Sequence, residues 1–284
     1  MSSSRPIKLI TQIANAVNEQ NLTLTAAGVA FWAMLALFPG LAAIIAIWGL
    51  LADPQVLIEQ LDLIRTILPE DVTRLVESQI NALMNAGGDR LGWAGLVSTF
   101  LAIWSTRSGV AALMLGLNAI HGRQNRNSLR HYLTALILTT ALLGVSVVTL
   151  SAVVIAPIIF AIIPLGTVTA LLVETFRWVA AIFVLMAGLA VIYRFGPNNR
   201  GERMKWVTPG AVLAVALWAI ASYGFSFYLS NFGNYNEVYG SIGAAIAMLV
   251  WLFISAFLVL LGAVVNLQLA EVYPPKAKLS PTRA

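Results

Sequence analysis

The chain has no cysteine. Disulfide staples, thiolate nucleophiles and cysteine-held metals are therefore ruled out, and cysteine usage leaves the redox compartment open. Histidine is nearly as scarce, with only His121 and His131. Charge is thin too: 10% of the residues are Asp, Glu, Lys or Arg, against about 25% in soluble domains. A water-soluble chain this poor in charge could not cover its surface. What fills the sequence instead is apolar: 59% of its 284 residues are hydrophobic and the mean hydropathy is +0.84. Composition points to an integral membrane protein.

A spanning helix needs about 20 mostly apolar residues. Six segments qualify: about 26–51, 91 onward, 132–156, 171–194, 207–229 and 241–267. Residues 91–104 are too few to span alone and 91–120 more than a perpendicular helix needs. One long tilted helix emerging from the bilayer is the preferred reading. The alternative is a break at "STRSG", 105–109, that leaves 110–120 as an interfacial helix. Between the first two spans, residues 53–90 show Leu57, Leu61, Ile64 and Leu68 at helical spacing, then Val72, Leu75, Val76 and Leu83. Pro54 and Pro69 suit helix starts, and "NAGG" suits a stop. This stretch is expected to be an amphipathic helical hairpin outside the bundle.

Charge sets the orientation. Thirteen of the 17 Lys and Arg lie in the N-terminus, the 105–131 and 194–206 loops and the C-terminus, with Glu19, Glu202 and Glu271 as the acids there. The opposite side holds four basic residues and nine acids. Lys and Arg favour the cytoplasmic side, so both termini are expected inside, as an even number of spans requires. The fold class expected is an all-α integral membrane protein with six transmembrane helices. Its parts are a cytoplasmic N-terminal segment at 1–25, a membrane domain at 26–271 and a cytoplasmic tail at 272–284. Residues 1–25 are polar and lack a short apolar core with a small-residue cleavage site; the first apolar run is expected to act as an uncleaved signal anchor. The pI near 9.7 reflects topology, not nucleic-acid binding, and the basic side suits anionic lipid headgroups.

Enzyme readings find little support. A metal nuclease needs several His, Asp or Glu converging on an ion, but both histidines lie in a basic inner loop and most acids lie across the membrane. No base and orienting acid are spaced around a serine, and no glycine-rich phosphate loop occurs. No catalytic residue, metal or cofactor is expected.

Arg107 falls near the inner edge of the hydrocarbon core. Its guanidinium either snorkels to inner headgroups or faces the bundle and holds a lipid phosphate, with Ser105, Thr106 and Ser108 as further donors. Pro39 and Pro157 interrupt the first and third spans; each either shapes the bundle as a static kink or acts as a hinge. Asn266 is expected to bond between helices, with a place on a substrate path as the alternative. The stretch "SNFGNYNEVYGSIG", 230–243, joins the last two spans. Asn231, Asn234 and Asn236 tolerate left-handed backbone, Gly233 and Gly240 allow tight turns, and Tyr235 and Tyr239 suit the headgroup level. This loop is expected to fold back into the mouth of a cavity, the alternative being a cap with no ligand.

Three stretches carry a resemblance. "AAGVAFWAMLALFPGL", "WSTRSGVAALMLGLNAIHG" and the long run from "YRFGPNNRGERMKWVTPG" to "GAVVNLQLAE" resemble the YihY/BrkB family of bacterial inner-membrane proteins, together covering most of 26–271. The resemblance implies a six-helix, multi-pass protein of the bacterial inner membrane. It also brings an old ribonuclease BN label, now considered mistaken, and links to serum resistance and to export of envelope lipid or lipopolysaccharide. Many members end the sixth helix in a "GAELNAELE"-like pattern. Here Val264 and Gln268 replace two of its acids, so carboxylate-coupled proton or cation movement does not carry over. The function expected is a transporter or flippase-like exporter of an anionic or otherwise amphiphilic lipid, with membrane lipids as its partners and no nucleic acid. The alternative is a non-transporting membrane protein that supports envelope assembly or regulation by binding partners.

Overall fold

A computed structural model describes residues 4–51, 88–162, 167–198, 205–231 and 235–273. Seven helices make up these residues: α1 (Ser4–Glu19), α2 (Leu22–Leu51), α3 (Gly88–Ile120), α4 (Ser128–Ile162), α5 (Thr167–Phe195), α6 (Pro209–Asn231) and α7 (Tyr235–Val272). The described residues contain no strand. Each of the six apolar runs falls in one helix, α2 to α7, the fifth entering its helix at Pro209. Residues 105–109 are helical within α3, so the second run is one long helix. The hairpin expected over 53–90 lies outside the described residues except for its last three.

Leu96–Ile120, Ser128–Val145, Pro209–Tyr228 and Ala245–Val272 are each long and apolar enough to cross a bilayer. Ile7–Glu19 with Leu22–Leu37, bent by 57°, makes a fifth if the pair is taken as one span, and Ile182–Phe195 is a shorter apolar helix. The described residues thus support four to five spans, against the six expected. The remaining apolar runs belong to α2 and α5.

Helix α1 was not foreseen, because residues 1–25 read as polar. Its half-buried and buried positions are Leu9, Gln12, Ile13, Ala16 and Val17, with half-buried Gln20 just past its end, the spacing of one helical face. The bend follows at Asn21, which takes a positive φ of 51°, a conformation that Asn tolerates better than most residues. Pro39 sits inside α2, which runs unbroken to Leu51. Helix α4 likewise continues through position 157.

The chain divides into two compact units. The first takes Met1–Ala27, Val110–Phe227 and Phe253–Ala284. Its core joins Val110, Ala111 and Met114 of α3 to Ala135 and Leu138 of α4, with Leu142 and Val191 packed against them. Buried Thr139 donates its hydroxyl proton to its own helix, at Ala135 O, 2.8 Å away. Gly116 lets α3 approach closely: a Cβ there would lie 2.7 Å from Thr25 Cγ2 and 3.0 Å from Leu260 Cδ2. Tyr193, 1% exposed, donates to Val259 O at 2.6 Å and ties α5 to α7.

The second unit takes Gly28–Gly109 and Tyr228–Leu252. Within it α2 and α3 meet at Gly109, whose Cβ position lies 3.6 Å from Trp32 Cβ, an ordinary contact. Val29, whose carbonyl oxygen lies 3.8 Å from the same position, is buried, as is Ala30. Outside the cores, Leu133, Ile137, Phe183, Ile220 and Phe227 are exposed, which suits helices solvated by lipid.

Candidate functional site

The polar chemistry of the first unit gathers where helix ends meet. Helix α3 ends in a Schellman turn. Gly122 takes φ 58°, its N–H reaches Ala119 O at 3.0 Å, and Arg123 N–H reaches Asn118 O at 2.9 Å. Glycine suits that left-handed position because it has no Cβ to clash. The turn throws the chain back toward the start of α4.

Asn118, 1% exposed, holds the next layer. Its Nδ2 donates to Asn125 Oδ1 at 3.0 Å, and its Oδ1 accepts from Asn198 N–H at 2.7 Å. Asn198 Nδ2 in turn donates to Gln124 O at 2.9 Å. Arg126 completes the knot from the α4 side. Its Nη1 donates to Gly196 O at 2.8 Å, and its Nη2 to Pro197 O at 2.8 Å and Phe195 O at 3.2 Å. These carbonyls follow the last turn of α5, where a cation also meets the negative end of the helix dipole.

A second junction joins α6 and α7. Thr208 caps α6: its Oγ1 accepts from Ala211 N–H at 3.2 Å, and Pro209 takes the first helical position. Asn266, on α7, accepts from Gly210 N–H at 2.7 Å and donates Nδ2 to Thr208 Oγ1 at 2.9 Å. Both ends of its amide are thus engaged between helices. Gly210 and Gly262 make the approach possible, since a Cβ on Gly210 would meet the Gly262 carbonyl oxygen.

His121 closes α3. Its Nδ1 lies 2.8 Å from Leu117 O, a distance at which the neutral ring donates, while Nε2 is buried with no hydrogen-bond partner. Burial lowers its pKa from the ordinary 6.5; the Leu117 bond partly opposes this, and the Arg123 charge adds to it. A proton on Nε2 would find no acceptor. Below about pH 6.5 the unfolded chain therefore takes up a proton that the folded chain resists, so stability falls as pH drops toward the folded pKa. Above the ordinary value the two states bind protons alike and the effect vanishes. His121→Asn is expected to flatten the acid limb of the melting-temperature profile relative to wild type; matching profiles would refute this account.

Between these groups lies a cleft of about 410 Å³, bordered by Gln124, Asn125, Arg126, Asn127, Arg130 and Asn198, and along α4 by Leu133, Thr134 and Ile137. No acid lines it. Arg126 spends its guanidinium on backbone carbonyls, whereas the guanidinium of Arg130, an exposed residue, makes no hydrogen bond among the described residues. Leu133 and Ile137 are 47% and 68% exposed. They stand three and seven residues beyond Arg130, on the same helix face. A smaller apolar cavity of about 100 Å³ lies among α5, α6 and α7, lined by Leu185, Leu189, Ala214, Trp218 and Leu258 among others. Trp218 Nε1 donates to Ser255 Oγ at 3.0 Å beside it.

The residues expected to contact ligand are scattered. Arg107 is half-buried and Ser105 buried in the second unit. The hydroxyls of Thr106 and Ser108 donate to Ala102 O at 2.7 Å and Trp104 O at 2.9 Å, engaging their protons within α3. Asn231 closes α6, and Tyr235, Asn236 and Tyr239 open α7; their side chains, and Asn234 entirely, lie outside the described residues. Sequence reasoning missed Asn118, Arg126, Arg130 and Asn198. For Arg126 and Asn198 the one visible signal was the matched polarity of "HGRQNRN" and "FGPNN" after neighbouring spans; Asn118 and Arg130 lie outside both stretches.

Long apolar helices with lipid-facing side chains, and polar groups paired at their ends, define a polytopic helical membrane protein. Residues 13–284 match the family described as Virulence factor BrkB, and the chain belongs to that family. It is 30% identical over 245 residues, 84% of this chain and 87% of the relative, to a Bacillus subtilis protein named ribonuclease-like protein YfkH. A UPF0761 membrane protein of Xanthomonas campestris (strain B100) is 40% identical over 89 residues, 31% of this chain and 21% of the relative. Another, from Xanthomonas oryzae, is 38% identical over 109 residues, covering 38% of this chain and 25% of the relative. No solved structure matches the chain.

Proposed function

We propose that this protein moves an anionic amphiphile across the bacterial inner membrane, as a transporter or flippase-like exporter, and is not an enzyme. In this reading six spans cross the bilayer, and both termini and the α3–α4 turn face the cytoplasm, where Lys and Arg concentrate. The observation that carries it is the graded cleft. Arg130 offers a guanidinium with no carboxylate partner among the described residues, which suits an oxyanion through paired N–H donors. Leu133 and Ile137 continue the same face with apolar surface, which suits an acyl chain. A site for a purely polar solute has no use for that second half.

A second reading, a non-transporting protein that acts through partners, draws on the pairing of Asn118, Asn198, Tyr193 and Asn266. Those groups serve as packing bonds, as a static bundle requires.

Reconstitution separates the two readings. Wild-type protein in liposomes is expected to move fluorescent phosphatidylglycerol between leaflets, and Arg130→Glu to lose most of that rate. Arg107→Ala and Asn234→Ala are expected to reduce it. Folded wild-type protein inert toward a broad panel of anionic lipids would remove the transport reading and leave the second.

A further inference from the structure

Helix α1 divides into three strips. Ile13, Ala16 and Val17 are buried or half-buried, as is Gln20 just past the helix end. Lys8, Thr11, Asn15 and Asn18 are exposed and polar. Between them runs an exposed apolar flank, Ile7, Ile10 and Ala14, on which the two isoleucines are 63% and 65% exposed. With about 3.6 residues per turn, positions 7, 10 and 14 fall on one line.

The position of α1 says what covers that flank. Gln20 Nε2 lies 3.5 Å from Ile120 O, at the end of α3. The bonds of Asn118, Asn198 and Arg126 gather the end of α3, the start of α4 and the end of α5 at that same end. Exposed Tyr132, near the start of α4, belongs to it, as does Trp206, with the Arg194 guanidinium 4.7 Å over its ring. Such aromatic residues favour the headgroup level. The 57° bend at Asn21 turns α1 away from the direction of α2. Arg5 and Lys8 against Glu19 leave α1 net basic. A helix with one apolar and one polar face, moderate overall hydrophobicity and basic residues binds in the plane of an anionic membrane surface.

We infer that α1 is a membrane-surface helix, seated in the leaflet at the basic end of the bundle with Ile7, Ile10 and Ala14 in the acyl boundary. The inference rests on the membrane class of the protein and not on transport. The absence of native cysteine makes the test direct. Ile10→Cys and Asn15→Cys in the full chain, each labelled with an environment-sensitive fluorophore, are reconstituted in phosphatidylcholine liposomes with and without phosphatidylglycerol. Spin-labelled lipid is expected to quench the label at position 10 several-fold more than that at position 15, and aqueous iodide to reverse the order. Leaving out phosphatidylglycerol is expected to weaken the lipid quenching at position 10. Equal iodide access at both positions overturns the inference. So does shielding of position 10 from both quenchers together with a disulfide between copies, which would make a second chain the occupant. Ile7→Cys on the same flank replaces Ile10→Cys if that variant fails to retain the wild-type melting temperature.

Discussion

Alanine at Gly210 is expected to destabilise the protein by roughly 3 kcal/mol, the sum of overpacking and a buried donor left without its partner. Alanine is intrinsically the better helix former, by about 1 kcal/mol, so propensity alone predicts the opposite sign. Packing wins because the added methyl meets backbone. The Gly262 carbonyl oxygen lies in its path, and Asn266 Cγ and Oδ1 lie 2.7 Å from it. Neither can move aside without parting α6 from α7 and breaking the Asn266 bond to Gly210 N–H. Gly262→Ala should behave alike, since its Cβ would meet Tyr193 Oη and come within 2.6 Å of Gly210 O. Gly224→Ala, also in α6, is the control: its Cβ would have nothing within 4 Å. Melting in detergent micelles decides the matter. A Gly210→Ala protein as stable as Gly224→Ala would refute the close crossing.

Arg126→Ala is expected to cost about 2–3 kcal/mol, because the residue makes charge-assisted bonds to three consecutive carbonyls. Arg126→Lys should recover little of this, since one ammonium cannot reproduce the planar fork that reaches Phe195, Gly196 and Pro197 together. Asn118 holds the same turn through Asn198 N–H. Arg126→Ala and Asn118→Ala should therefore combine less than additively. Chemical unfolding of the two single variants and the double variant measures the coupling, and strict additivity would show that the bonds act on separate structures. Because Arg126 and Asn198 both border the cleft, loosening this knot is also expected to impair whatever the cleft binds.

Much of the fold was legible in the sequence. The six apolar runs fall in helices because a chain in lipid has to satisfy its backbone internally, and helix is the local way to do so. The long α3 was legible for the same reason. The site was much less so. Arg107 and the 230–243 stretch drew attention as polar residues among apolar ones, while the loops "HGRQNRN" and "FGPNN" resembled ordinary solvated connections. Nothing local shows that Asn118 will lie against Asn198, 80 residues away. Helix α1 was passed over because its polar residues mask an apolar face when read by composition and not by period.

Composition and charge by themselves determined that this is a helical membrane protein and which ends of its helices are basic. Hydropathy and charge bias are sums over a segment, and lipid and water act on such sums. Tertiary structure alone decided that Arg126 is a clamp while Arg130 stands open, and that Asn266 is a bond between helices. It also decided that Gly210 has no room for a methyl group. Each of those depends on which distant atoms come within a few ångströms, and side-chain identity along one chain carries no record of that.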